Sequence, residues 1–383
     1  PDPPPQEATT FTAMADDTTP EDFEGMSTPW RREPAELATE LEGWAQKLID
    51  PAAKVVDVVA PDNGMSSESV LFDVDVEGSI DHYVARLAPL PSLVPVFQHY
   101  DIALQAKAMR LVGERTDVPV PEVPFVELDE SFLQVPFLVM KRSSGSAPTD
   151  IPPYVFGGWV ADLTDDERLL MQRNAVETLV KLHELTPANA DLSFLDRPQH
   201  GPDALDQHLG HERGYYEWAR DGKTFPLIER TFEWLETNRP TLAGPTVLNW
   251  GDARIGNMLW DGPTPTAVLD WEMAAIGPAE VDLAWMIFLH RFFQDMAEKY
   301  GMTGLPDFMR REDMAATYTE LSGRPVEALE WFEVFAALRF AIVSVRTSLR
   351  GVTYGQMEMP DDLDDFVMFR HLVEQMLDGS YWD

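Results

Sequence analysis

Cysteine is absent from the 383 residues, which excludes disulfides, thiolate nucleophiles and cysteine-ligated metals. Long apolar runs are missing too. The longest candidate, Val334 to Val345, is interrupted by Arg339 and falls short of the ~18 residues of a membrane span. No basic-then-apolar leader opens the chain, so a cytoplasmic protein is expected. Positive charge is scarce: 29 Lys and Arg face 66 Asp and Glu, for a formal net charge of −37. Such a surface repels phosphate backbones and anionic membranes, so neither is expected as a partner. Any anionic ligand would need cations gathered locally.

What is present suits a folded protein. Hydrophobic residues make up 44% of the chain, enough to bury a sizeable core. Residues 1–34 are rich in Pro, Asp, Glu and Thr and read as a mobile extension. Order is expected from Pro34, where Leu37, Leu41, Trp44, Ala45 and Leu48 recur at helical spacing. Val70, Phe72, Val74 and Val76 alternate as in a strand, Glu77-Gly78-Ser79 offers a turn, and His82 to Leu87 reads as the returning strand. A helix is expected over Val96 to Val112, broken by the prolines of Thr116–Pro121. Phe137 to Lys141 reads as a buried strand, and Ser143 to Ser146 as a hinge. Beyond it the chain reads as mainly helical. Thr164 and Glu167 form a capping box before a helix whose face holds Leu169, Val176, Leu179 and Val180. Short strands are expected at Thr246–Trp250 and Ala267–Trp271, then helices near Ala279–Tyr300, Met314–Leu321 and Val326–Arg346.

Chemistry concentrates in P-T-V-L-N-W-G-D-A-R-I-G-N-M-L-W (Pro245–Trp260) and A-V-L-D-W-E (Ala267–Glu272). Each apolar strand ends in an oxygen ligand: Asp252 after the first, Asn257 five residues on, and Asp270 after the second. Singly, each Asp could be a turn residue. Together they match the needs of phosphoryl transfer, a carboxylate to take the acceptor's proton and a carboxylate with an amide oxygen to hold Mg²⁺. G-K-T at Gly222–Thr224 is not a phosphate loop, because Glu217 stands where that motif requires glycine. His200, His208 and His211 fall in a loop-like stretch without a recognised ligand spacing and read as solvated histidines.

These motifs resemble the aminoglycoside phosphotransferase family, near the branch of acyl-CoA-dehydrogenase-associated kinases. The likeness runs from about Val55 to Arg346 and includes T-D-V-P-V-P, P-F-L-V-M-K and G-P-A-E-V-D-L-A-W (Gly277–Trp285). It implies an α+β, protein-kinase-like two-lobed fold, with a small β-rich N-lobe (35–143) and a larger, mainly helical C-lobe (144–383). It also implies an ATP- and Mg²⁺-dependent kinase of a small-molecule hydroxyl acceptor, GTP being the alternative nucleotide, with no oligomeric state implied. By the resemblance Asp252 is the catalytic base, Asn257 and Asp270 are metal ligands, and Asp282 is a structural acid. Arg86 replaces the phosphate-binding lysine, with Gln105 as its helix partner. Ser66 and Ser67 lie in the nucleotide-covering loop Asn63–Ser69, and Met140 leads into the adenine hinge. Glu272 is expected to support the loop, and His183 to make a structural hydrogen bond. The acidic run Asp361–Asp365 reads as a solvated helix start. The acceptor would lie against Ile151–Asp221 and Glu280–Asp383. Trp250 stands where the family has histidine, so a catalytically weak nucleotide-binding protein is the competing reading.

Overall fold

Pro34 opens the first helix, α1 (Pro34–Leu48), where its missing amide hydrogen would have had no partner anyway. The computed structural model describes residues 32–60 and 66–382. Most of the expected extension, and Asn63, Gly64 and Met65 of the covering loop, lie outside the described residues. Leu37, Leu41, Trp44 and Ala45 are buried on one face of α1, as their spacing predicts. The Trp44 ring meets Phe72, Phe125 and Phe137 edge-on, at 5.2 to 6.4 Å, which seats the helix on the sheet.

That sheet has five antiparallel strands: β1 (Lys54–Val59), β2 (Glu68–Val76), β3 (Ser79–Leu87), β4 (Phe125–Glu127) and β5 (Phe137–Lys141). Their order is β1-β2-β3-β5-β4. The alternation in β2 puts Val70, Phe72 and Val74 in the core. Glu77 and Gly78 take φ of 53° and 90°, the double positive turn that matches strand twist in a tight hairpin. It lets β3 start at Ser79 rather than His82. The following helix, α2 (Ile102–Arg115), begins later than expected because Asp101 caps it, accepting from Leu104 N at 2.8 Å.

The helical lobe comprises α3 (Trp159–Asp162), α4 (Asp165–Leu182), α5 (Ala204–Ala219), α6 (Pro226–Thr237), α7 (Glu280–Lys299), α8 (Arg311–Ser322), α9 (Leu329–Thr353) and α10 (Arg370–Asp378). Two antiparallel strand pairs sit among them. β6 (Val247–Asn249) pairs with β9 (Ala275–Gly277), and β7 (Met258–Asp261) with β8 (Thr264–Val268). The Thr164–Glu167 capping box forms. Leu169 does not join the buried face. It is 53% exposed, since burial in α4 begins only at Met171 and Gln172. His208 and His211 lie on α5 rather than in a loop, and His208 is buried. The Asp361–Asp365 run is only partly solvated: buried Asp364 accepts from Leu227 N at 3.0 Å, satisfying an amide at the uncapped start of α6.

The segment after β5 is tied to the β7–β8 hairpin. Ser146 and Trp260 exchange backbone hydrogen bonds of 2.9 and 3.0 Å, and Thr266 Oγ1 donates to Ser144 O at 2.6 Å. Gly145, at φ 125°, has no room for a side chain, because a Cβ would lie 2.5 Å from Thr266 Oγ1. Among the described residues, no helix is long and apolar enough to cross a membrane.

Candidate active site

The loop after β6 turns sharply at Gly251, φ 92°, where a Cβ would lie 2.1 Å from Met273 O. Only glycine fits both the angle and the space. Asp282, in the first turn of α7, fastens this turn, accepting from Trp250 N at 2.7 Å and Gly251 N at 2.8 Å. It also pairs with His183 Nε2 at 3.1 Å, and His183 Nδ1 lies 2.9 Å from the Tyr318 hydroxyl. Both residues are fully buried, so their hydrogen bonds hold the loop rather than serve solvent.

Held this way, Asp252 receives two further bonds. Asn257 Nδ2 donates to its Oδ2 at 2.7 Å, and Trp285 Nε1 to its Oδ1 at 2.7 Å. Arg254 Nε lies 3.3 Å from Oδ1, while its Nη1 grips Asp150 at 2.6 Å. A Cβ on Gly256 would lie 2.5 Å from that guanidinium. Asn257 O accepts from Leu269 N at 2.8 Å, which brings the two ends of the β7–β8 hairpin side by side and sets Asp270 beside Asn257. Trp250 completes the connection. Fully buried, its Nε1 donates to Leu269 O at 2.8 Å and Asp270 O at 3.2 Å. The indole thus bonds directly to the backbone that presents Asp270, whose φ is 60°.

Arg86 enters from β3. Its Nη2 donates to Asp270 Oδ1 and, at 3.3 Å, to Glu272 Oε2. Burial alone would lower its pKa, but the two carboxylates win and raise it, so the guanidinium stays charged. Glu272 also accepts from the hydroxyls of Ser66 and, at 3.1 Å, Ser67. Burial pushes the Glu272 carboxyl up to about 7, Asp270 adding to the push while Arg86 and the serines oppose it. Tyr100 steadies the covering loop by donating to Ser66 O at 2.9 Å.

The structure therefore joins Asp252 to Asn257, and Arg86 to Asp270 and, through Glu272, to Ser66 and Ser67. Met140 stands in β5 opposite Val84, buried. The expected Arg86–Gln105 hydrogen bond is not formed: Gln105 is buried, and its Nε2 has no hydrogen-bond partner among the described residues. Charge-assisted bonds to two carboxylates outcompete a neutral amide. Sequence reasoning assigned no role to Arg254 and Trp285, although both lie inside the quoted motifs; nothing local marks which way such side chains turn.

A small antiparallel sheet set over a helical lobe, with paired acids at the junction, is the protein-kinase-like fold of phosphotransferases. The chain belongs to the phosphotransferase enzyme family, whose family model matches residues 57–323. A solved structure from Ralstonia eutropha, classed with the aminoglycoside phosphotransferases, aligns over 90% of this chain and 97% of its own, with TM-score 0.60 and 20% identity. Aminoglycoside phosphotransferase APH(4)-Ia, as a thermostable mutant in complex with AMP-PNP and hygromycin B, aligns over 89% of this chain and 99% of its own (TM-score 0.52, 15% identity). Among curated proteins, the Arabidopsis thaliana probable acyl-CoA dehydrogenase IBR3 is 23% identical over 307 residues, 75% of this chain and 35% of that protein. The chain thus spans about a third of that relative's length.

Proposed function

We propose that the protein is an ATP- and Mg²⁺-dependent phosphotransferase that moves the γ-phosphate to a hydroxyl of a small molecule. The observation that carries this reading is the hydrogen-bonded Asp252–Asn257 pair beside Asp270, with Arg86 reaching the same place from the sheet. Asp252 is the base. Its carboxylate is aimed by Trp285 and Asn257 and takes the acceptor's proton as the acceptor oxygen bonds to phosphorus and the bond to ADP breaks.

The oxygen donors suit Mg²⁺. Asn257 commits its amide nitrogen to Asp252, which leaves its carbonyl oxygen as a hard ligand beside the Asp270 carboxylate. One carboxylate and one amide suffice for an ion that keeps waters and phosphate oxygens as its other ligands. Bound there, Mg²⁺ would neutralise phosphate charge. Arg86, Ser66 and Ser67 are the phosphate contacts, and Met140 adjoins the adenine. The nucleotide side is assigned to 35–143 and the acceptor side to 144–383. ATP is proposed over GTP because AMP-PNP occupies the APH(4)-Ia structure. The charge of −37 supports avoidance of nucleic acid.

The Trp250 hydrogen bonds support the enzyme reading over a weak nucleotide binder, because an indole N–H performs the tethering that imidazole could supply. The test is ATP, Mg²⁺ and a panel of hydroxylated metabolites and antibiotics, read by mass shift. Asp252→Asn should cut transfer by about 10²–10⁴ while AMP-PNP binding persists. Equal turnover by the variant would remove Asp252 as the base.

A further inference from the structure

Helix α9 carries Arg339, Arg346 and Arg350, seven and then four residues apart, a spacing that aligns them on one helical stripe. At the α-helical rise, Arg346 lies about 10 Å and Arg350 about 16 Å along the axis from Arg339. The stripe starts at the proposed base. Arg339 Nη2 donates to Gly251 O at 3.0 Å, one residue before Asp252. Its guanidinium lies 4.4 Å from the centre of the Trp285 ring, the indole that holds Asp252.

The stripe runs along α9 to the junction of the lobes, with Arg346 half-buried between buried Arg339 and Arg350. Arg346 Nε donates to Pro95 O at 2.8 Å, and its guanidinium lies over Trp218 at 4.2 Å. Tyr215 donates to the neighbouring Val96 O at 3.0 Å, and Phe97 packs on Tyr215 at 5.4 Å. Tyr100, in the same segment, holds Ser66 of the covering loop. This wall of arginines and aromatic rings therefore connects the catalytic loop to the nucleotide loop.

Counter-charge at Arg339 and Arg346 is thin. Arg339 has Glu212 at 3.5 Å, yet its Nε and Nη1 are buried without a hydrogen bond. Burial pushes the Glu212 carboxyl up, toward its neutral form, with Arg339 and Arg197 opposing. Arg197 adds a further guanidinium, bonded to Ala274 O at 3.2 Å. The acid that acts on Arg346, Asp221, is paired with Lys223 at 3.4 Å. Burial lowers the pKa of Arg346 and brings that of Arg350 down to about 10, Arg346 adding to the effect on Arg350. Like charges one turn apart disfavour each other. In a chain of net charge −37, such a stripe of basic residues gains most from an anion supplied by a ligand.

We propose that the arginine stripe of α9 binds an anionic group of the acceptor: the substrate is an extended hydroxylated anion, a carboxylate or phosphate, with its reacting hydroxyl at Asp252 and its charge at Arg346, about 10 Å along α9 from Arg339. This rests on the phosphotransferase reading and excludes a polycationic acceptor. Arg346, stacked on Trp218, presents a planar fork suited to either oxyanion.

The test uses four compound types over one shared series of chain lengths: an ω-hydroxy carboxylate, the ω-hydroxyalkyl phosphate, the matching diol and the matching amino alcohol. Each is offered with ATP and Mg²⁺. The anionic pair should exceed the diol in kcat/KM by roughly tenfold or more, the amino alcohol should be poorest, and the better anion identifies the group. Arg346→Gln should erase the preference by raising KM with kcat kept, and Arg346→Lys should retain most of it. A diol or amino alcohol as good as the anions, or Arg346→Gln matching wild type, overturns the inference. So does a lack of turnover of all four by protein that still binds AMP-PNP. Absence of AMP-PNP binding would instead overturn the phosphotransferase reading itself.

Discussion

Replacing Trp250 by phenylalanine removes one atom group of consequence, the indole N–H, and keeps most of the ring. That N–H serves two carbonyls, Leu269 O at 2.8 Å and Asp270 O at 3.2 Å, in part-buried hydrogen bonds made by a fully buried indole. A buried acceptor stripped of its donor costs about 1–3 kcal/mol, and this sets the expected loss for Trp250→Phe. Trp250→Ala also empties the ring's volume against Trp271, whose ring centre is 6.1 Å away; losing a large buried aromatic costs about 3–5 kcal/mol. Trp250→His should fall between them, since imidazole can restore one donor but not the packing. A functional effect should accompany the Phe variant. Asp270 sits at φ 60°, a region that non-glycine residues occupy reluctantly. Freed of its tether, that peptide can relax and carry the proposed Mg²⁺ ligand with it. Urea unfolding of the variants, together with Mg²⁺ titration of AMP-PNP binding, measures both effects. A Phe variant within about 0.5 kcal/mol of wild type and with an unchanged Mg²⁺ titration would refute the reasoning.

Arg86→Ala should chiefly raise the KM for ATP, because it removes the cation that reaches Asp270 and Glu272; steady-state kinetics with an unaltered KM would exclude it from the phosphate site. Glu333, buried on α9 beside Arg311 at 3.2 Å, gives a pH prediction. Burial pushes its carboxyl up to about 7, with Arg311 opposing. The folded state then holds a proton that the unfolded state releases near 4.5, so stability falls as pH rises from about 4.5 to about 7. Glu333→Gln removes that dependence, and its Tm relative to wild type should climb across the window, by up to about 3 kcal/mol in stability. A constant difference in Tm across that window would show that the carboxyl titrates normally.

Local patterns were legible wherever one segment contains its own partner. The Thr164–Glu167 capping box and the Val70–Phe72–Val74 alternation needed nothing beyond neighbouring residues. Asp252, Asn257 and Asp270 stand out as a proposed site for a different reason: residue types that phosphoryl transfer demands follow apolar strands. Partnerships across the chain were not. Arg86 was matched with Gln105 on the next helix, yet it binds carboxylates 184 and 186 residues away, and no local rule ranks those above the nearer amide. β1 and β4 escaped notice because β1 alternates weakly and β4 is three residues among prolines. The β6–β9 pair brings together strands on either side of the whole Asp252–Asp270 segment, a closure set by packing. Leu169 carried the right residue type in a turn that lies ahead of the buried part of its helix.

The bonds between Ser144–Ser146 and the β7–β8 hairpin bear on how the lobes can move. The chain leaving the sheet is laced to Trp260 and Thr266 before it enters the helices. Asn257 immediately precedes that hairpin, and Asp270 lies two residues past it. Torque on the crossing strand is therefore delivered to the hairpin as to the arm of a lever, with both proposed metal ligands near its far ends. A swing of the sheet away from the helical lobe would therefore also shift the spacing of Asn257 and Asp270, and with it the fit of the proposed Mg²⁺ site.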